Sequence, residues 1–149
     1  MLVSQKCQYA LRAVFELARQ NGHGPIPIAR IAQTQAIPAR FLEVILGELK
    51  QGGFVESRRG ARGGYVLARP ASELSVGEVM RFVQGPIGPV DCVEAPSQER
   101  CPLYGGCVFL AMWERARSAM AEVYDSTTFA ELVDEDARTG REHVPRYSI

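Results

Sequence analysis

Within residues 1–70, three stretches of helical periodicity are followed at once by two short strand-like runs flanking a loop of arginine and glycine. Ser4 can cap a first helix whose apolar residues Cys7, Leu11, Val14, Leu17 and Ala18 recur at a spacing of about 3.6. Asn21-Gly22 supplies its stop. Beyond Pro25 and Pro27, a short second helix starts at Ile28 and runs to about Gln35, and a turn falls at Ala36-Ile37. Pro38 then occupies the first turn of a third helix, where its missing N–H costs nothing. That helix carries Phe41, Leu42, Ile45, Leu46 and Leu49 on its inner side and stops at Gly52-Gly53. Phe54–Ser57 and Tyr65–Leu67 read as the strands of a hairpin around Arg58-Arg59-Gly60-Ala61-Arg62-Gly63-Gly64. Two helices joined by a tight turn, with a hairpin behind them, make a winged helix-turn-helix.

The second half continues in helices. Ser75 and Glu78 form a capping box ahead of Val79, Met80, Phe82 and Val83, and Gly85-Pro86 ends that helix. The loop at 85–106 is rich in Gly and Pro, and a loop of that length is usually functional or disordered. A long helix is expected from about Cys107 to Tyr124. Its apolar residues Val108, Leu110, Ala111, Trp113, Ala116, Met120 and Val123 spread over more than one face, so it must bury against something else, and a partner subunit is the natural choice. Thr128 and Glu131 form a second capping box for a short helix from Phe129 to about Val133, followed by a charged, loose tail.

The fold class is therefore expected to be mainly α with a small β-hairpin wing: a winged helix-turn-helix plus a long C-terminal dimerisation helix. The parts are a DNA-binding region at 1–70, a connecting helix at 71–84 and a cysteine-bearing loop at 85–106. Dimerisation and C-terminal helices at 107–133 and a loose tail at 134–149 complete them.

Charge points to the partner. The 149 residues carry 17 basic and 17 acidic side chains, a net of zero that taken alone argues against nucleic acid. The total hides a split: residues 1–69 hold ten basic and four acidic residues, residues 70–149 seven and thirteen. Such asymmetry places a basic binding surface on the N-terminal half, the bland alternative being solvated helix faces. Arg58, Arg59 and Arg62 sit among glycines that let backbone approach a surface closely. Arginine pairs with phosphate or the edge of guanine, and a narrow minor groove attracts it. Pro38, Ala39, Arg40 and Glu43 form the exposed start of the third helix, the part that meets base edges in the major groove. Arg40 can bind phosphate or guanine, and Glu43 can accept from a cytosine amino group. Gln33, Thr34 and Gln35 are further phosphate candidates. Double-stranded DNA is the expected partner. No run approaches the roughly 20 apolar residues of a membrane span, and the N-terminus lacks a signal-peptide pattern, so a cytoplasmic protein with no membrane partner is expected. With two histidines, no phosphate-binding loop and no catalytic constellation, the chain does not read as an enzyme.

Four cysteines in a non-secreted chain favour metal or redox chemistry over a disulfide framework. Cys92-x8-Cys101-x5-Cys107 places three thiols in one loop that ends at a helix start. The helix dipole favours thiolate there, and thiolates ligate iron–sulfur clusters. The spacing matches neither zinc ribbons nor classical fingers, and three unrelated cysteines is the alternative. Cys7 reads as a small apolar core residue, and His23 and His143 as exposed loop and tail residues.

The chain resembles the Rrf2 family of bacterial winged-helix transcription regulators. The residues that carry the likeness are Tyr9-Ala10-Leu11, Gly24-Pro25-Ile26-Pro27, Ile31-Ala32, Ile37, Phe41-Leu42-Glu43, Leu49 and Gly52-Gly53-Phe54-Val55. The wing pattern Arg59-Gly60-x-x-Gly63-Gly64-Tyr65-x-Leu67 and Val76-Gly77-Glu78-Val79 extend it. The likeness covers roughly residues 1–133. It implies a homodimer joined by the long helix, DNA binding by helix three and the wing, and an iron–sulfur cluster held by Cys92, Cys101 and Cys107. The chain departs from well-known members in its longer first cysteine gap and in having Leu110 where [2Fe-2S] members place His. Three cysteines without that His favour [4Fe-4S] over [2Fe-2S]. The fourth ligand stays open among Cys7 or Gln8 of the partner, Glu94, Glu99 and an exogenous group. The implied function is a regulator, of repressor type, whose DNA affinity follows redox, iron–sulfur status or nitric oxide. The competing readings are a cluster-free thiol-redox regulator and a winged-helix protein-interaction module.

Overall fold

Ser4 opens the first helix as its sequence requires: its Oγ accepts from the Cys7 N–H at 3.1 Å. The structure, a computed structural model, describes residues 2–94 and 101–140. In chain order the elements are α1 (Gln5–Arg19), α2 (Ile28–Gln35), α3 (Ala39–Gln51), β1 (Val55–Arg58), β2 (Gly64–Leu67), α4 (Val76–Gln84), α5 (Leu110–Ser126) and α6 (Phe129–Thr139). Single turns of 3-10 helix lie at Ala71–Glu73 and Asp91–Val93.

α1 is the hub. It buries Cys7, Ala10, Ala13, Val14, Leu17 and Ala18, and it touches α2, α3, β2, α4 and α6. Small residues along this stripe let the neighbouring helices approach closely. α2 ends at Ala36, which takes φ +51° and ψ +49° and turns the chain sharply into α3. Arg12 Nη1 donates to the Gln35 carbonyl at 3.0 Å, satisfying an otherwise orphan acceptor at the α2 terminus. α3 buries Leu42, Ile45, Leu46 and Leu49, an i, i+3, i+4, i+7 stripe.

The hairpin is antiparallel, pairing Val55 with Leu67, Glu56 with Val66, Ser57 with Tyr65 and Arg58 with Gly64. It does not stand alone. Ile26 and Tyr65 exchange two backbone hydrogen bonds of 2.9 Å, so the segment between α1 and α2 pairs with the free edge of β2. At the other end of the core, the Ser75–Glu78 and Thr128–Glu131 capping boxes are both formed. These two starts are stitched by Val76 N–H to the Thr127 carbonyl (2.9 Å) and Phe129 N–H to the Leu74 carbonyl (3.0 Å). Phe129 is fully buried beside Leu74, Val79 and Met80 in the same core.

Four expectations need correction. Phe41 is not on the inner side of α3 but 61 % exposed. The apolar stripe is already complete without it, and a one-residue step on a helix turns a side chain by about 100°. Pro38 caps α3 rather than entering its first turn, and α5 starts at Leu110, three residues beyond Cys107. α6 does not stop near Val133 but runs to Thr139. Asp134–Thr139 contains good helix formers, Arg138 pairs with Glu135 one turn away, and Arg19 of α1 reaches Asp136 at 3.9 Å. The rest of the expected loose tail, 141–149, lies outside the described residues.

Candidate nucleic-acid interface and thiol segment

The start of α3 faces solvent. Pro38, Ala39, Arg40 and Glu43 are all exposed, and among the described residues neither Arg40 nor Glu43 makes an ion pair or side-chain hydrogen bond. Phe41 and Val44, 61 % and 59 % exposed, share this surface. With Tyr9, Ile45, Gln5 and Lys6 they line a groove of about 360 Å³ between α1 and α3. Composition did not reveal them; their position off the completed Leu42–Leu49 stripe could have.

α3 is held at both ends. Lys6 of α1 pairs with Glu48 at 2.7 Å, and Lys50 Nζ donates to Ser57 Oγ of β1 at 2.7 Å. The second contact ties α3 to the wing. In the wing, the Gly63 N–H donates to the Gly60 carbonyl at 3.0 Å, and Gly60 sits at φ +110°, a conformation that favours glycine. Arg59 and Arg62 extend from the exposed turn with no ion pair among the described residues. Arg58 differs: it belongs to β1 and is paired with Glu56 at 2.9 Å.

Gln35 is not available as a phosphate contact. Its Nε2 donates to Glu16 Oε2 at 2.8 Å, and its carbonyl is taken by Arg12. Glu16 is the buried acid of the core, and Arg19 and Gln20 also donate to it. Burial pushes its carboxyl up, but the bonds from Gln35, Arg19 and Gln20 and the Arg19 charge outweigh that and hold it below the usual range.

The thiols divide into two classes. Cys7 is fully buried in α1, and burial pushes its thiol up, so it is the core residue its position implied. Gln8 is exposed, with its Nε2 bonded to the Val3 carbonyl. Cys92, Cys101 and Cys107 are free thiols, each half-buried, in the segment joining α4 to α5. Ile87 and Val93 of that segment are buried, so its first part is anchored to the protein. Among the described residues no three His, Cys, Asp or Glu side chains lie together as a metal site. Glu99 and His143 fall outside the described residues. Three unpaired thiols suit iron–sulfur ligation by donor chemistry.

Outside this segment, α5 carries no fully buried residue. One side packs on α4 through Met120 and Tyr124, while Met112 and Val123 point outward, 47 % and 60 % exposed. Among the described residues no helix is long and apolar enough to cross a membrane.

The sequence matches the Rrf2 family, iron-dependent transcriptional regulators, over residues 3–135. It is 37 % identical to the HTH-type transcriptional regulator CymR of Bacillus subtilis over 89 % of both chains. It is 32 % identical to IscR of Serratia proteamaculans over 90 % of this chain and 80 % of that one. Among solved structures, CymR of B. subtilis, described as its global cysteine regulator, superposes with a TM-score of 0.76 at 35 % identity, covering 91 % of this chain and 98 % of that one. IscR of T. potens superposes with the same score at 29 % identity, covering 99 % and 95 %. These relatives are transcription regulators, not enzymes.

Proposed function

Since the chain belongs to the Rrf2 family of DNA-binding transcription regulators, we propose that it acts as a cytoplasmic homodimer whose operator affinity is set by an iron–sulfur cluster on Cys92, Cys101 and Cys107. The observation that carries this reading is the set of three free, half-buried thiols in the α4–α5 segment of a family regulator. Such a cluster supplies a redox- and nitric-oxide-sensitive centre, and the absence of a fourth thiol in the segment favours [4Fe-4S] with one iron differently ligated.

On DNA, α3 enters the major groove with Pro38, Ala39, Arg40 and Glu43 at the base edges, and Arg59 and Arg62 of the wing reach the neighbouring backbone or minor groove. Arg58 contributes less because Glu56 already neutralises it. Ordering of the α4–α5 segment biases the spacing of the two reading helices, which must meet half-sites about one helical turn apart. The outward side of α5, with Met112 and Val123, supports the second copy.

The test is anaerobic purification with iron and sulfide analysis, followed by operator selection on random duplexes and binding by iron-loaded and iron-free protein. The expected result is a coloured protein whose affinity or sequence preference changes at least tenfold on cluster loss. Replacing all three cysteines by serine should remove the iron and lock the iron-free behaviour. Unchanged iron content, or identical binding by both forms, ends the cluster reading. A thiol-oxidation switch is the second reading, favoured by the likeness to an oxidised form of Staphylococcus aureus CymR (TM-score 0.69, 33 % identity, covering 90 % of this chain and 97 % of that one). A protein that is colourless after strictly anaerobic preparation, yet whose DNA binding responds to peroxide, would select it.

A further inference from the structure

α4, α5 and the turn at 91–94 enclose a cavity of about 300 Å³, lined by Arg81, Ile87, Glu94, Arg117, Ser118 and Ala121. It lies apart from the outward face of α5, since Arg117 and Ala121 belong to the half-buried side that faces α4. The volume is at the lower end of small-molecule sites.

Its charges are arranged in a particular way. Arg81 is engaged: its guanidinium grips Asp125 through two bonds of 2.5 and 2.9 Å, which hold its own protonation up and the Asp125 carboxyl down. Arg117 is not engaged. Its Nε is shut off from solvent and has no hydrogen-bond partner among the described residues. A buried guanidinium N–H left without an acceptor is uncommon and calls for one. Glu94 lies against Gly88, where even a Cβ would stand 2.8 Å from its Oε1; its charge acts on Arg81, which also faces the cavity, but its carboxylate makes no salt bridge within 4 Å and no hydrogen bond among the described residues. The cavity thus holds a guanidinium N–H without an acceptor, a carboxylate without a hydrogen-bond donor, Ser118, and an apolar patch from Ile87 and Ala121.

We propose that this cavity binds a free α-amino acid with a short side chain: its carboxylate meets Arg117, its ammonium meets Glu94, and its side chain lies on Ile87 and Ala121. A simple anion would leave the Glu94 carboxylate without a donor, and a simple cation would leave Arg117 Nε without an acceptor; a zwitterion supplies both. The occupant bridges α4, which packs on α1 of the DNA-binding half, α5, and the turn that carries Cys92. It would therefore favour one relative placement of these three elements.

Titration calorimetry on the full chain, with and without iron, tests this independently of DNA and of any cluster. The probes are the common free amino acids, with acetate, propionate and ethylamine as single-charge controls. The expected result is saturable binding of one or more short amino acids, with every single-charge probe at least tenfold weaker. Arg117→Gln and Glu94→Gln should each weaken binding tenfold or more, and Ala121→Met should abolish it by filling the cavity. No binding by any amino acid, or equal binding of acetate or propionate, overturns the proposal on the unmodified protein alone. Retention of full affinity in folded Arg117→Gln does so as well.

Discussion

Glu16 is the residue on which the join between the first two helices depends. Its carboxylate is fully buried and receives Gln35 from α2 and Arg19 and Gln20 from its own helix, so it is stable only as the charged, fully bonded acceptor. Because its folded pKa lies below the ordinary value, its stabilisation is complete above the normal carboxylate range and is lost as pH falls through the lowered value. Glu78, held down by the Ser75 backbone N–H and by Arg69, and Asp125, held down by Arg81, add in the same direction. Stability should therefore decline on acidification, and Glu16→Gln should flatten that decline while costing about 1–3 kcal/mol at neutral pH. Urea unfolding of both proteins at neutral pH and at about pH 4 measures it; parallel acid limbs would show that Glu16 carries no such linkage. At this scale the sequence was least informative. Nothing in it marks Gln35 as the ligand of a buried acid nineteen residues earlier. Nor does it mark Ala36, a non-glycine, as the left-handed residue of the turn. Phe41 is apolar yet exposed because Leu42, Ile45, Leu46 and Leu49 already fill the inner face of α3.

Among the elements, the wing shows how a short hairpin becomes a rigid one. Two strands of four residues would be marginal alone, but β2 lies so close to Ile26 that a Cβ at Gly64 would collide with the Ile26 carbonyl and the Pro27 nitrogen. Gly64→Ala should break the Ile26–Tyr65 rung and loosen the wing, costing about 2 kcal/mol or more. Gly60→Ala meets no neighbouring atom and costs only the strain of a side chain at φ +110°, about 1–2 kcal/mol. Amide exchange at Tyr65 and Ile26 distinguishes the two: protection should collapse in the first variant and persist in the second. Helix identities and the hairpin were legible, because period and capping are local signals. The onset of α5 and the length of α6 were not. α5 starts on Phe109, which offers no capping side chain, and α6 is prolonged by a contact to α1 that only the folded chain provides.

For the molecule as a whole, the proposed dimer makes the α3–wing surface and the apolar side of α5 two parts of one device. One copy offers a single α3 and a single wing, whereas a symmetric operator has two half-sites, and joining two copies turns the second contact into an intramolecular one. The outward Met112 and Val123 lie about three turns apart on one side of α5, spaced along the helix as a self-complementary seam requires. Met112→Glu with Val123→Glu places like charges across that seam. Neither residue touches the buried core, so the folded chain should survive. Sedimentation equilibrium should then report a monomer, and operator affinity should fall by about 10²–10⁴-fold, the gain that linkage of two modest sites supplies. Arg59→Ala and Arg62→Ala give the contrasting signature. The dimer stays intact, affinity drops on every duplex alike, and the slope of log affinity against log salt falls by about one per arginine, while Arg58→Ala changes it less. A charged pair on α5 that left the protein dimeric, with operator affinity unaltered, would move the interface elsewhere.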